Sequence, residues 1–171
     1  MSLEVVLLAP GPSMSQPLAD SLRGSEMVGA VSNCFQLAPW ADFMAAQDRQ
    51  WWLKHPEARE FKGRRFSGNR LIPGVERVER SFTNWNSGVL ALQASMLLGA
   101  TRIRLYGFDM HGTHFFGPYT NGLGNTTELR RKVHLKQYED WARRNPRVEV
   151  VNCTPGSALR CFTFEQQAMA A

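Results

Sequence analysis

Two short segments of the chain combine glycine with hydroxyl or amide side chains in the pattern of an anion-binding turn. Each lies where an apolar run meets a predicted helix, so backbone amides at the helix start can face a phosphate. The alternatives are a plain strand-to-helix turn for the first and an ordinary helix N-cap for the second. Neither segment has the glycine spacing or the lysine of the common nucleotide-binding loops. The first segment consists of Gly11, Pro12 and Ser13, and the second of Asn86, Ser87 and Gly88.

Two aspartates are predicted at the ends of neighbouring strands. Asp48 and Asp109 could share a Mg²⁺ ion through water, which is typical of phosphoryl-transfer sites. Alternatively, Asp48 caps the helix that follows it and Asp109 holds its own loop.

Two histidines lie three residues apart in the segment His-Gly-Thr-His. His111 and His114 suit a general base or a hydrogen-bond donor to phosphate, because imidazole titrates near neutral pH. A zinc site is the alternative, but the segment is a glycine-rich loop rather than a helix. His55 is interpreted as a surface or capping residue, and the adjacent Trp51 and Trp52 as core residues.

The elements that must position these residues alternate between strands and helices. Residues 57–80 fit only short edge strands or a hairpin, and the glycine-rich residues 110–126 fit a long loop or lid. The alternation predicts one α/β domain over residues 1–171: a Rossmann-like, three-layer fold with a mostly parallel sheet. Predicted strands cover residues 4–9, 27–32, 43–47, 102–106 and 147–151; predicted helices cover residues 15–23, 48–56, 89–98, 126–144 and 164–169.

Small polar residues follow most of the predicted strands. In parallel sheets, ligands bind beyond the carboxyl ends of the strands, where loops and helix N-termini meet. The sequence therefore predicts a nucleotide or small-anion pocket at that edge of the sheet.

Composition narrows the class of protein further. The chain has 171 residues and a formal net charge of +5, with 16 arginines among its 20 basic residues. This excess of arginine is compatible with an anionic ligand, and codon bias in a GC-rich genome is the alternative explanation. The chain has no apolar window of the length that a membrane span needs, and its N-terminal apolar run is too short for a signal peptide. A charge of this size does not favour a nucleic-acid partner, although the basic residues 59–80 leave one as a weaker alternative. Cys34, Cys153 and Cys161 show no paired spacing, so we expect free thiols and a cytoplasmic protein.

Five segments in order resemble the small bacterial sialyltransferases that use CMP-sialic acid. The same order also resembles a wider family that includes archaeal hydroxymethylpterin diphosphokinases and short phage-encoded proteins. The resemblance covers about residues 4–160. The segments read APGPSM, SNCF, NSGVLALQASMLLGATRIRLYGFDMHG, THFFGPYTN and VEVVNCTPGSAL.

This resemblance implies a GT-A-like variant of the Rossmann fold that binds a cytidine nucleotide without an obligatory metal. By position it implies that residues 11–13 pass under the phosphate, that Asn33 contacts the nucleotide and that residues 86–88 hold the ribose or phosphate. It further implies that Gly107, Asp109 and His111 line the site and that Ser157 lies near the base or sugar.

Three residues depart from the family's pattern. Pro10 stands where the family has an asparagine, and Phe115 stands where it has a lid tyrosine. Pro118 occupies the position that matches the family's catalytic histidine, and proline cannot accept a proton. His114 or His111 would then have to serve as the base.

These observations favour a nucleotide-sugar-dependent glycosyltransferase with a CMP-type donor and an unidentified saccharide acceptor. One alternative is an ATP-dependent diphosphokinase in which Asp48 and Asp109 organise Mg²⁺. Another is a catalytically inactive binding protein of the same fold, such as a phage-encoded one. Assembly into a homo-oligomer is a further expectation.

Overall fold

The computed structural model describes residues 1–69 and 71–165. Within them, eight strands form one sheet in the order β5-β4-β3-β2-β1-β6-β7-β8, and every neighbouring pair is parallel. The predicted α/β class with a mostly parallel sheet is confirmed. The strands are β1 (Glu4–Leu8), β2 (Met27–Val31), β3 (Phe43–Ala45), β4 (Arg64–Ser67), β5 (Glu76–Arg77), β6 (Arg102–Tyr106), β7 (Glu149–Asn152) and β8 (Thr163–Phe164).

The strand order reverses at β1. The chain builds outward from β1 through β5 on one side and then returns to place β6 on the other side of β1. A crevice forms outside the carboxyl ends of the strands at such a reversal, and ligands of open α/β sheets bind there. The topology therefore directs attention to the residues that follow β1 and β6.

The central strand β1 separates two apolar cores. Val5 and Leu7 belong to the core under the helices Ser87–Leu97 and Glu128–Arg144, whereas Val6 and Leu8 belong to the core under the helices Gln16–Ser21 and Arg49–Lys54. Successive side chains of a strand point to opposite faces, and a parallel sheet covered on both faces needs apolar residues at every position. The run of branched residues in β1 satisfies that need.

Four helices cover the two faces of the sheet in the described residues, and three of them begin at a side chain that bonds a backbone amide. Ser15 accepts from the amide of Leu18, Asn86 from those of Gly88 and Val89, and Thr127 from that of Arg130. Such caps satisfy amides that have no partner within the helix. The helices are α1 (Gln16–Ser21), α2 (Arg49–Lys54), α3 (Ser87–Leu97) and α4 (Glu128–Arg144).

The edges of the sheet confirm one sequence prediction and contradict another. Of the two alternatives for residues 57–80, short edge strands are observed and a hairpin is not, because the short strands β4 and β5 pair in parallel. The strand predicted at 147–151 is not the last one, because β8 pairs beside β7. Two-residue strands carry too little pattern to be recognised from sequence. In the helix predicted at 164–169, Phe164 instead belongs to β8, and residues 166–169 lie outside the described residues.

Residues 110–126, all of them described, form the predicted loop. Its only sheet-type pairing is an isolated bridge between His114 and Gly117. The predicted free thiols of Cys34, Cys153 and Cys161 are confirmed. Across the part of the chain that the structure describes, we find no helix with both the length and the apolar character needed to cross a bilayer.

Candidate functional site

A cleft of about 890 Å³ opens at the carboxyl ends of β1 and β6. The turn after β1 and the loop after β6 form one wall, and the start of α2 forms another. The N-terminus of α3 and one face of α4 close the cleft on the remaining side. This cleft thus lies at the position that the strand order indicates.

The turn after β1 is held in place by hydrogen bonds to a buried carboxylate. The hydroxyl of Ser13 donates to Oδ2 of Asp109 at 2.8 Å, and its backbone amide donates to the same oxygen at 3.3 Å. A β-carbon on Gly11 would overlap this oxygen, so the close approach requires glycine. Asp109 is 3% exposed and, like Ser13 and Pro12, does not line the cleft. In this arrangement Asp109 braces the turn.

The second predicted anion-binding segment is an N-cap. Oδ1 of Asn86 accepts from the amides of Gly88 and Val89 at 2.9 and 3.1 Å, so those amides already have a partner. Ser87 Oγ accepts from the amide of Gln47 at 3.0 Å, which leaves its hydroxyl proton for a ligand. All three residues of segment 86–88 line the cleft.

Asn33 lies behind the cleft at the centre of a buried network. Its Oδ1 accepts from Nε1 of Trp51 and from the hydroxyl of Tyr119, both at 2.9 Å. Its Nδ2 lies 3.2 Å from Nε2 of His55, whose Nδ1 lies 2.9 Å from the carbonyl of Trp51. The network joins the turn after β2, the helix α2 and the loop 110–126.

His55 is only 5% exposed, so its interpretation as a surface residue is wrong. The alternative interpretation as a capping residue is confirmed, because His55 occupies the C-cap position of α2. Trp51 and Trp52 are buried, as predicted.

Ser157 is fully buried and also lies outside the cleft lining. Its hydroxyl donates to the carbonyl of Phe108 at 2.6 Å, and its oxygen accepts from Nδ2 of Asn152 and the amide of Leu159. Ser157 therefore fixes the start of the loop after β6 to the turn after β7.

His111 and His114 both line the cleft, and each has one ring nitrogen near a carbonyl oxygen. Nε2 of His111 lies 3.2 Å from the carbonyl of Gly156, and Nδ1 of His114 lies 3.2 Å from that of Gly117. The His114 ring also stacks on Phe116 with 4.7 Å between centroids. Burial lowers the pKa of His114, although the contact with Gly117 opposes this effect.

Asp48 lines the cleft at the N-cap position of α2, but its side chain makes no capping bond. Burial raises the pKa of its carboxyl, and the charge of Arg130 opposes that effect. Asp48 and Asp109 do not share the cavity, because only Asp48 lines it. No group of three or more His, Cys, Asp or Glu side chains is placed to hold a metal ion in residues 1–69 and 71–165.

The sequence leaves open whether the arginines of residues 130–147 rim a site or face solvent, and it does not identify the face of α4 that borders the cleft. Arg130, His134 and Tyr138 follow one another at four-residue spacing, with Arg131 beside them, and all four line the cleft. Burial, followed by the charges of Arg130 and Arg131, lowers the pKa of His134 to about 4. One signal in the sequence could have indicated this face of α4. These residues recur at i, i+4 and i+8 on a helix that begins just after a glycine-rich loop.

The structure divides the predicted site residues into two groups. Those that line the cleft are Gly11, Asp48, Asn86, Ser87, Gly88, His111 and His114; those that do not are Pro12, Ser13, Asn33, Asp109 and Ser157. Within the second group, Ser13 and Asp109 hold the turn after β1, and Asn33 and Ser157 hold the loop after β6.

Three comparisons with known proteins bear on this fold. No protein-family model matches the chain, and no curated protein matches it. Among solved structures, the sialyltransferase CstII from Campylobacter jejuni in complex with the substrate analogue CMP-3FNeuAc matches with a TM-score of 0.51 and 16% identity, over 96% of this chain and 86% of that chain. The sialyltransferase CST-II in complex with a trisaccharide acceptor and CMP matches with a TM-score of 0.55 and 14% identity, over 94% and 85%. At these identities the matches show a sialyltransferase-like fold.

Proposed function

We propose that this protein is a glycosyltransferase that binds a CMP-type sugar donor in the cleft at the ends of β1 and β6. The observation that carries the proposal is the charge of that cleft. Its lining includes three guanidinium groups but only one carboxylate. A donor of this kind is a phosphodiester, and a cationic concave site attracts such an anion. The arginines are Arg49, Arg130 and Arg131, and the carboxylate is that of Asp48.

The size of the cleft supports the same proposal. A volume of about 890 Å³ lies near the upper end of the range for ligand pockets, which extends to roughly 1,000 Å³. It suits a nucleotide joined to a sugar better than a mononucleotide alone. The fold neighbours were solved with CMP, a CMP-sugar analogue and a trisaccharide acceptor, which supports a donor and an acceptor of these classes.

The donor phosphate is best placed near α4 and the N-terminus of α3. Arg130 and Arg131 supply charged donors there, and Ser87 supplies a hydroxyl proton. Ser13 gives its own hydroxyl proton to Asp109 and so is poorly suited to that role. Phosphate binding thus rests mainly on arginine in this proposal, because the amide of Gly11 already donates to the carbonyl of Gly107.

The reaction proposed is attack of an acceptor hydroxyl on the anomeric carbon of the donor. The glycosidic bond forms while the bond from that carbon to the phosphate oxygen breaks, and CMP leaves with the electron pair. Cations that face the phosphate stabilise the leaving group, and a base removes the acceptor proton. Three imidazoles line the cleft and are candidates for that base: His111, His114 and His134.

Isothermal titration with CMP, cytidine, UDP, GDP and ATP tests the proposal. We expect CMP to bind more tightly than cytidine, and binding not to require added metal. Replacing Arg130 or Arg131 by glutamine should weaken CMP binding about tenfold, the usual effect of losing one charge-assisted hydrogen bond. Arg143→Gln is the matched control, because Arg143 is on the same helix, pairs with Asp140 and lies outside the cleft.

Two outcomes contradict the proposal. If no nucleotide binds at millimolar concentration, the cleft is not a nucleotide site. If only ATP binds, and only with Mg²⁺, the diphosphokinase alternative is favoured instead.

A further inference from the structure

We propose that His134 is the proton acceptor of the cleft, and that the anionic donor held by Arg130 and Arg131 is what enables it to take up the proton. This inference rests on the proposed function, because it assigns a base to that reaction and couples the base to the donor.

The first argument is the freedom of the imidazole. Neither ring nitrogen of His134 makes a hydrogen bond to any residue that the structure describes. His111 and His114 each have one nitrogen beside a backbone carbonyl. Of the three cleft histidines, His134 therefore has the most bonding capacity left for a ligand. Pro118 stands at the position where the sequence resemblance places a catalytic histidine, and its side chain cannot accept a proton.

The second argument is the rigidity of the support. His134 projects from the middle of the 17-residue helix α4, whereas His111 and His114 lie on a loop. Gln137, almost one turn later, clamps α4 to the segment before α3. Its Oε1 accepts from the amide of Asn86 at 2.9 Å, and its Nε2 donates to the carbonyl of Asn84 at 2.8 Å. A base on a rigid element keeps its geometry when the loop moves.

The third argument is the arrangement of charge around His134. From its own helix, Arg130 and Arg131 precede it by one turn. The start of α2 adds Asp48 and Arg49, and the loop after β6 adds His111 and His114. The N-terminus of α3 adds the uncharged Asn86 and Ser87. Arg131 is paired with Glu128 at 2.8 Å, so Arg130 is the less compensated of the two neighbouring charges.

This arrangement makes the proton affinity of His134 depend on what occupies the cleft. Burial and the two arginine charges hold the pKa of His134 at about 4, so the empty site carries a neutral and weak base. An anion bound to Arg130 and Arg131 offsets their charge and raises that pKa towards its ordinary value of 6.5. A stronger base is then present only when the donor is bound.

The proton transfer balances without a further reactant. The acceptor hydroxyl gives its proton to a ring nitrogen of His134 as its oxygen bonds the anomeric carbon. The phosphate oxygen of CMP takes the electron pair of the broken bond. When CMP leaves, the charges of Arg130 and Arg131 again lower the proton affinity of His134, and the imidazolium releases its proton to water.

Imidazole NMR titrations of the full chain test the coupling. The chain has four histidines, and His134→Gln identifies the resonance of His134. We expect saturating CMP to raise the pKa of His134 by at least about one unit, and cytidine, which lacks the phosphate, to leave it nearly unchanged. Arg130→Gln should raise the pKa of the free protein and reduce the shift caused by CMP. Arg143→Gln should change neither quantity.

Hydrolysis of CMP-sialic acid tests the assignment of the base. We expect His134→Gln to bind CMP as the wild type does but to lower the hydrolysis rate at least about 100-fold, as loss of a general base typically does. His111→Gln and His114→Gln should retain at least about a tenth of the rate.

The possible failures are distinguishable. If CMP binds the wild type but leaves the pKa of His134 unchanged, the coupling is wrong. If His114→Gln is the most impaired variant, the base assignment is wrong. If wild type neither binds CMP nor hydrolyses the donor, the proposed function fails. Titration with inorganic pyrophosphate then decides the coupling alone: a shift of the His134 pKa supports it, and no shift contradicts it.

Discussion

The hydroxyl of Tyr138 on α4 occupies the space that a β-carbon of Gly88 on α3 would need. The phenol carbon Cζ would also lie only 3.0 Å from that β-carbon. Glycine at the first turn of α3 thus sets how closely the two helices approach, and this distance defines the wall of the cleft. Tyr138 is 3% exposed, and its hydroxyl makes no hydrogen bond within the described residues.

Gly88→Ala should destabilise the protein by about 1–3 kcal/mol, because it overpacks the contact between the helices. The direction of this change in unfolding free energy is informative, because alanine in place of glycine normally stabilises a helix. Urea unfolding measures the change. Adding Tyr138→Phe to Gly88→Ala should restore part of the loss; equal stability of the single and double variants would contradict the packing argument.

The pair Ser13 and Asp109 should contribute to stability as a unit. Asp109→Ala should cost about 1–3 kcal/mol, because it removes two hydrogen bonds from Ser13, each of which typically contributes about 0.5–1.5 kcal/mol. Ser13→Ala should cost about 0.5–1.5 kcal/mol. A double-mutant cycle by chemical unfolding measures the coupling, which we expect at about 0.5–3 kcal/mol. Additive effects would mean that the carboxylate does not brace the turn.

We expect Tyr119 to stabilise mainly the loop 110–126, and Asn33 to stabilise the protein as a whole. Tyr119→Phe removes the hydrogen bond from the loop 110–126 to Asn33, whose oxygen keeps its bond from Trp51. We expect faster amide exchange in that loop with little change in global stability. Asn33→Ala should lower global stability by about 1–3 kcal/mol, because it leaves the indole N–H of Trp51 buried without an acceptor. Hydrogen exchange and thermal unfolding separate the two results, and similar global losses would refute the distinction.

His134 should make the protein less stable in acid. Its folded pKa of about 4 lies below the ordinary value of 6.5, so between those values the unfolded chain binds more protons than the folded one. Stability therefore rises with pH from about 4 to 6.5 and is lost as the pH falls through that window. His134→Gln should flatten the dependence measured by urea unfolding at a series of pH values. Because the pKa of His114 is lowered too, His114→Gln is the comparison, and a smaller flattening is expected from it.

Patterns of residues close together in the chain were sufficient to predict much of the fold. The branched run of β1, the alternating run of β6 and the capping residues Ser15 and Thr127 act within a few positions of the chain, so their patterns predict elements directly. The polar residues after the strands also predicted the end of the sheet at which the cleft opens. The edge strand β8 escaped prediction, and β5 was predicted only as a short strand somewhere within residues 57–80, because two residues carry no usable periodicity.

The roles of individual residues were decided by tertiary contacts. Ser13 and Asp109 are 96 positions apart, and only the pairing of β1 with β6 brings them together. The sequence singled out both as site residues, but it could not show that each satisfies the other beneath the cleft. It likewise showed an arginine-rich helix without showing that the face with Arg130 and His134 meets the N-terminus of α3. Sequence alone determined which chemical groups this protein has and at which end of the sheet most of them lie. Which of them face the cleft was decided by packing over long separations, because side-chain direction there depends on partners that local pattern does not specify.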